Sequence, residues 1–301
     1  MNDKRYFFLI FYVLIYNFHL LGFAGLFFND KPESSSGQPV SSIERQINTL
    51  EKEKHDLDQL QTGYSQERDK LTTTAESLKD KQKTTSSEIF IQKRSSLISQ
   101  TIQELNDIQK SQEQLQAVID QELSLLKTYA NDQRFENLRK PRKASYNFDD
   151  LQELTERLAS FRTRIAELEK SKALAQDDLN KRKKNLTVLQ EEYKEKERQQ
   201  AEFGSTYPAL NTDQELSVAQ QGELLDEQKQ LAQYKKDLAD IKAKEAERRV
   251  SLIELQLAIA RDQSGVIKED YTRVKQSLIV DEQYVQKAER ELEVKRQNFV
   301  T

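Results

Sequence analysis

The sequence contains no cysteine and no tryptophan, and it has only 7 glycines and 4 prolines among 301 residues. Without cysteine, the chain has no disulfide, no Cys-ligated zinc site and no thiol nucleophile. His19 and His55 are isolated from each other, so there is no H-E-x-x-H zinc motif. The glycines do not cluster into a Gly-rich phosphate loop. We therefore expect a protein that is not an enzyme and that uses no cofactor, metal or small-molecule substrate.

The sequence also has no long region in which residues of one charge sign dominate. The 47 basic and 51 acidic residues nearly balance and are interspersed along the chain. Nucleic-acid-binding domains normally show a basic patch or stripe, so we expect no nucleic-acid partner. Hydrophobic residues make up only 36% of the chain. Because this is too little for a thick layered core but enough for narrow helical seams, the composition predicts an all-α protein built from long coiled-coil helices.

The first 28 residues differ from the rest, because residues 6–28 form an apolar, aromatic-rich run preceded by Lys4 and Arg5. As a helix, about 23 residues span about 35 Å, enough to cross a bilayer core of about 30 Å. We expect residues 1–28 to be a signal-anchor, that is, a transmembrane helix. The alternative is a signal peptide that is cleaved near Ala24.

The basic residues that precede this run indicate its orientation. Positive charges stay on the cytoplasmic side, which keeps the N-terminus inside and exports the body. We therefore expect a single-pass membrane protein with an extracytoplasmic body. If the segment is cleaved, the protein is secreted or periplasmic. A third possibility is a cytoplasmic coiled-coil protein with an inverted anchor.

Residues 29–42 are rich in Ser, Pro and Gly and predict a flexible linker. Ser41 and Glu44 have the spacing of a capping box, so a coiled-coil helix over residues 43–83 should begin there. One seam column of this helix is apolar, whereas the other is mostly polar.

The polar seam column contains Lys54, Gln61 and Arg68. Polar residues at such positions fix register and partner number at a cost in stability. We interpret these three residues as selectors of a partner helix. The alternative is that they only make the coil marginally stable.

Residues 88–264 contain three heptad-patterned stretches of similar length, interrupted near Pro141 and between Gly204 and Pro208. They predict a central antiparallel up-down-up three-helix bundle, formed by residues 88–133, 148–203 and 212–264. The helix at 43–83 and a C-terminal coiled-coil helix at 267–301 would then leave the bundle at opposite ends. The competing arrangement is one unbroken parallel dimer.

The second stretch has the cleanest heptad frame in the chain, formed by Leu151, Leu154, Leu158, Phe161, Ile165, Leu168, Lys172, Ala175, Leu179, Arg182, Leu186, Leu189 and Tyr193. We expect Asp149, with Gln152, to cap this helix, and Thr212, with Glu215, to cap the next one. The heptad frame shifts at residues 84–87 and again at residues 264–265. At residues 84–87 we expect a hinge or a local unwinding, and at residues 264–265 a kink or the start of a separately oriented helix.

Four basic residues, Arg139, Lys140, Arg142 and Lys143, flank Pro141 on a predicted loop. Such a cluster suits contact with an anionic surface, such as lipid headgroups or a wall polymer. The alternative is an ordinary solvated loop.

The layout is similar to that of membrane-anchored scaffolds and of the coiled-coil halves of bacterial wall-hydrolase activators. Those activators normally carry a C-terminal globular domain, which this sequence does not show, and no motif narrows the resemblance to one family. We expect a non-enzymatic scaffold or spacer, membrane-tethered through residues 6–28 if they are uncleaved, or else exported. It would associate with itself or with another coiled-coil protein. The alternative function is regulation of an envelope enzyme, for example a cell-wall hydrolase.

Overall fold

The computed structural model describes residues 40–82, 88–131, 135–143, 145–206, 216–278 and residue 290. All of these lie in one compact unit, which covers residues 38–301. The described chain is all-α, as the composition predicts. It has four long helices, which we number α1 (Val40–Gln82), α2 (Glu88–Asn131), α3 (Phe148–Thr206) and α4 (Val218–Gln276), and a short 3-10 helix, Glu136–Leu138.

None of these helices is long and apolar enough to span a bilayer. The apolar run at residues 6–28 and its proposed cleavage position lie outside the described residues, as do residues 29–39 of the predicted linker.

Contacts between side chains define the directions of the helices. Helix α1 is antiparallel to α2, because Glu51 contacts Lys127 whereas Arg68, further along α1, contacts Gln109. Helix α3 is antiparallel to α4, with Glu169 beside Arg261 and Lys196 beside Gln228. Helices α2 and α4 run parallel, since Arg94 contacts Glu223 and Tyr129 contacts Asp262.

The main core lies between α1, α2 and α4. Its buried residues are Ile43, Leu50, Leu57, Leu105, Ile108, Leu115, Ile119, Leu123, Leu126, Tyr129, Phe135, Leu238, Ile241 and Ile259. Helix α4 also packs along the length of α3. Helix α4 is therefore the central helix, with α3 on one side and the α1–α2 hairpin on the other.

This packing corrects the predicted bundle of residues 88–264. The helix that completes the core is α1 rather than α3, so residues 40–82 lie along the bundle and do not project from it. The widths of the apolar stripes explain the difference. Helix α3 carries a narrow stripe that serves one neighbour, whereas α2 buries a broad face that includes Ser111, Gln112, Leu115, Val118 and Ile119. A face of that width needs two neighbours.

The two frame shifts have different outcomes. Residues 83–87 lie outside the described residues, and the helices on either side of them, α1 and α2, run antiparallel. At 264–265, α4 continues unbroken to Gln276, which corrects the expected boundary at residue 267. Here the heptad frame shifts because the neighbours change. Ile267 and Val274 pack with Tyr146 and Leu154, at the start of α3, instead of with α1 and α2.

The helix caps also differ from the predicted ones. Helix α1 begins at Val40, one residue before the predicted cap at Ser41. The cap of α3 is formed by Asn147 and Asp150, two residues before the predicted pair. Ser217, with Gln220, forms the capping box of α4. The predicted cap at residues 212–215 lies outside the described residues.

Candidate functional site

Two of the three predicted partner-selecting residues of α1 contact α2 of the same chain. Lys54 Nζ lies 2.6 Å from Asp120 Oδ1, and Arg68 Nη1 donates a hydrogen bond of 2.9 Å to Gln109 Oε1. The third, Gln61, is half-buried. The hydrogen bond with Asp120 raises the pKa of Lys54. Lys54 and Arg68 therefore meet polar residues of a helix in the same chain.

The predicted basic cluster lies in the segment between α2 and α3, and its members have different surroundings. Lys140 is buried, and its Nζ lies 3.0 Å from Asp150 Oδ1 and also contacts Glu153. Lys143 Nζ lies 3.1 Å from the same Asp150 oxygen. Burial acts to raise the pKa of Asp150, but the hydrogen bonds from Lys140, Asn147 N and Lys143 together outweigh it and lower the pKa to about 2.

The remaining two members are less buried than Lys140. Arg139 Nη1 lies 3.3 Å from Glu269 Oε2. Arg142 is exposed and, among the described residues, forms no ion pair. Carboxylates of α3 and α4 neutralise Arg139, Lys140 and Lys143. These ion pairs hold the loop between α2 and α3 against helices α3 and α4. Only Arg142 is left free for an external anion.

The backbone of this loop is held equally closely. Asp270 of α4 accepts a hydrogen bond of 2.5 Å from Lys140 N, while Arg273 Nη2 donates to Lys140 O at 2.8 Å. Tyr146 Oη donates to Pro141 O at 3.3 Å and accepts from Lys143 N at 3.2 Å. The loop is therefore part of the helical structure around the start of α3 and the end of α4.

Two groups of ionisable residues lie inside the core, and the sequence analysis did not identify them. In the first, Arg248 of α4 donates hydrogen bonds to both carboxylate oxygens of Glu53 on α1. Arg248 Nη1 also lies 3.9 Å from Glu122 Oε2 on α2. In the second, Tyr64 Oη of α1 donates to Asp237 Oδ2 of α4 at 3.4 Å.

Burial raises the pKa of Glu122 and of Asp237, one carboxyl group from each cluster. For Glu122, desolvation is the largest effect, Arg248 opposes it, and the nearby Glu53 adds to it, so that the pKa is about 7. For Asp237, desolvation outweighs the hydrogen bond from Gln233 and raises the pKa to about 6. Both groups lie where α1 meets the rest of the bundle.

The heptad pattern of α2 already indicates that Glu122, one member of the first group, lies on a buried seam. Between Leu115 and Leu126 the alternating spacing of three and four residues places Ile119 and Glu122 at seam positions. The same spacing places Gln112 on the seam of α2, and the structure buries both of its amide atoms without a hydrogen-bond partner. Polar residues that interrupt an apolar seam were therefore the informative positions. Which other charges they meet depends on helix packing.

The α3–α4 pair has its own buried ion pair, at a position that the sequence predicts. Arg182, at a seam position of α3, lies 2.9 Å from Glu245 Oε2 and also donates to Lys242 O at 3.0 Å. Arg249 contacts the other Glu245 oxygen at 2.6 Å. Two guanidinium groups thus neutralise one buried carboxylate, which favours a single register of α3 against α4.

No group of three or more His, Cys, Asp or Glu side chains within the described helices and loop is arranged to hold a metal ion. A shallow, open depression lies between α1 and α2 and is lined in part by Lys54, Asp120 and Lys127.

The chain matches no family model, no curated protein and no solved structure.

Proposed function

We propose that the protein is a non-enzymatic coiled-coil scaffold or spacer that acts through protein–protein contact. In this proposal residues 6–28 tether it to a membrane, or it is exported after cleavage near Ala24. The observation that carries the proposal is the length of the α3–α4 pair. Each helix has 59 residues, which corresponds to about 88 Å at the rise of an α-helix. A pair of this length can separate two partners that bind near its ends.

Ion pairs between α3 and α4 support this role because they recur along the pair. They join Glu169 to Arg261 at 2.8 Å, Lys172 to Glu254 at 2.8 Å and Lys183 to Glu247 at 3.3 Å. Exposed pairs contribute little free energy individually. However, they disfavour pairings shifted by a heptad, since a shift would bring other side chains together.

The uncovered side of α3 supports interaction with a further helix. Helix α3 packs extensively against α4 alone among the described helices. Leu174 and Val188 are 66% and 56% exposed. They are two heptads apart, so they lie on the same face of α3. The proposed partner of this face is a coiled-coil helix, either from a second copy of the chain or from a different protein.

Site-specific photocrosslinking tests this contact in the full chain. A photoreactive amino acid at Leu174 or Val188 should give a discrete crosslinked species, and its mass distinguishes a second copy from another protein. The control carries the same amino acid at Lys93, an exposed position on α2. If Leu174 and Val188 give only uncrosslinked monomer, or crosslink no more than Lys93 does, the interaction proposal is wrong.

The proposed location has a separate test. In sealed inside-out membrane vesicles, an extracytoplasmic body is enclosed and should resist added protease until detergent opens the vesicle. N-terminal sequencing of the mature chain then separates the two forms, because cleavage near Ala24 leaves a start near Gly25. Digestion of the body without detergent would instead show a cytoplasmic body with an inverted anchor.

A further inference from the structure

Three charged side chains from three different helices meet inside the bundle. Glu53 comes from α1, Glu122 from α2 and Arg248 from α4. Their side chains are only 14%, 10% and 18% exposed, respectively. Arg248 binds both oxygens of Glu53 and approaches Glu122 no closer than 3.9 Å. The guanidinium of Arg248 is therefore paired with Glu53 of α1, and the carboxyl group of Glu122 has no close cationic partner in this cluster.

The charges of this cluster do not balance when both carboxyl groups are ionised, because two carboxylates then share one guanidinium. In addition, Glu122 Oε2 is buried and accepts no hydrogen bond from any described residue. An ionised carboxylate without donors is costly in a poorly polarisable interior. The cost is relieved either when Glu122 binds a proton or when water reaches it.

Helix α1 is the element whose movement would admit that water. It contributes the competing carboxylate, Glu53, and its seam against α2 contains the polar residues Lys54, Gln61 and Arg68. By contrast, α4 packs along both α2 and α3, whereas α1 packs extensively against α2 alone among the described helices. Because a polar seam contributes less stabilisation than an apolar one, α1 is the most easily detached helix of the three.

We propose that Glu122 is a proton-operated lock on helix α1. With a proton on Glu122, α1 stays docked in the groove between α2 and α4. When Glu122 loses the proton, its repulsion with Glu53 and its unmet hydration favour release of α1. Released α1 would expose Ile43, Leu50 and Leu57, together with the groove that they occupied. The inference concerns the bundle itself and goes beyond the proposed scaffold function.

The pKa values of Glu122 and Asp237 agree with stronger docking of α1 at low pH. The groups that act on Glu122 are Arg248 from α4 and Glu53 from α1, and with burial they give a pKa of about 7. Asp237, which accepts from Tyr64 of α1, has a pKa of about 6 because of burial, with Lys236 opposing and Asp240 adding to the shift. Both carboxyl groups thus bind protons more strongly while α1 is docked.

The sign and the size of the effect follow from proton linkage. The ordinary pKa of the Glu122 carboxyl is 4.5, against about 7 in the docked state. Between these values the docked state holds the additional proton, so docking weakens as pH rises. The equilibrium constant for docking falls by up to about tenfold per pH unit and levels off above about pH 7 to 8.

Distance measurements on the full chain test the lock. Because the chain has no cysteine, spin labels can be attached to cysteines that replace Lys52 on α1 and Gln121 on α2, both exposed. A second labelled pair, at Lys170 and Ala258, reports on α3–α4. Pulsed electron resonance from pH 5 to pH 9 should show one short Lys52–Gln121 distance at low pH. The population at longer distance should grow at least tenfold by pH 8.5, while the second pair stays constant.

Three variants show which group is responsible. Glu122→Gln mimics the protonated carboxyl and should keep α1 docked at every pH. Glu53→Gln leaves Arg248 available to Glu122 and should strongly reduce the pH dependence. Glu113→Gln, at an exposed position on α2, should behave like the wild type.

Three outcomes would overturn the lock. The first is a wild-type pH response that persists in Glu122→Gln. The second is a single short Lys52–Gln121 distance at every pH. The third is lengthening of both labelled pairs together, which would show that the whole bundle unfolds.

Discussion

Lys140 and Asp150 form an ion pair of 3.0 Å in which the side chains are only 8% and 10% exposed. Asp150 also caps α3, because its Oδ2 accepts a hydrogen bond of 3.2 Å from Asn147 N. One carboxylate thus joins the loop, the helix start and a buried lysine. This explains how a cluster of basic residues around Pro141 can lie within the structure.

Replacing Asp150 with Ala removes its side-chain half of the cap, the bond from Asn147 N, and leaves Lys140 with Glu153 as its remaining carboxylate partner. We expect the free energy of unfolding to fall by about 2 kcal/mol or more, measured by urea denaturation. The control is Asp177→Ala, which breaks the exposed pair with Lys181 on α3. That control should unfold close to wild type, and equal losses in both variants would contradict the role of Asp150.

The Asp150 carboxyl group should also account for part of the loss of stability at acidic pH. Hydrogen bonds from Lys140, Asn147 and Lys143 hold the folded pKa of Asp150 at about 2, below its ordinary 3.8. The stabilisation is therefore complete above pH 3.8 and is lost as pH falls toward 2. In a series of urea denaturations from pH 5 to pH 2, Asp150→Asn should show a shallower decline than wild type. An unchanged slope would show that other carboxylates dominate.

Gly265 lies inside α4, at the place where the heptad frame shifts, and a methyl group added there would meet no atom within 4 Å. Because glycine disfavours helix, Gly265→Ala should stabilise the protein by about 0.5 to 1 kcal/mol. Gly63→Ala in α1, which is equally open, should have a similar effect. If residues 264–265 were a functional kink, Gly265→Ala would instead destabilise the fold in thermal denaturation.

Gln112 is only 2% exposed, and both of its side-chain polar atoms are without partners in the described structure. Gln112→Leu should therefore raise the free energy of unfolding by about 1 to 3 kcal/mol. The matched control is Gln121→Leu on the exposed side of α2, where no gain is expected. A loss of stability in Gln112→Leu, measured by urea denaturation, would indicate that the amide binds a group that is absent from this chain.

The order of packing can be tested by chemical crosslinking of paired cysteines. Cysteines at Lys172 and Glu254, whose charged atoms lie 2.8 Å apart, should be joined by a short bismaleimide, which links α3 to α4 within one chain. Cysteines at Lys54 and Asp120 should likewise be linked between α1 and α2. Non-reducing gels should show monomers of altered mobility. Crosslinked dimers as the main product would contradict the intramolecular arrangement and favour a parallel dimer.

Several features could be predicted because they depend on neighbours within one helix. Each of the thirteen predicted seam residues of α3, from Leu151 to Tyr193, is buried or half-buried. The end of α3 at Thr206 also agrees with the predicted interruption between Gly204 and Pro208. Caps were less predictable, because Asn147 with Asp150 and Asp149 with Gln152 both have suitable spacing. The contact of Asp150 with Lys140 favours the first pair.

The amino-acid sequence alone determined that the body is helical, where most helices begin and end to within a few residues, and which stripe of α3 is buried. These properties follow from heptad spacing, helix-breaking residues and composition, which act over one or two helical turns. The tertiary structure decided that α1 packs against α2 and α4, that α4 is central, and that Glu53, Glu122 and Arg248 meet. The physical reason is that an apolar stripe shows how much surface a helix must cover but does not identify the helix that covers it. Which helix packs on a given stripe depends on whether the charges and the widths of the two apolar stripes match, and the two helices can be far apart in the sequence.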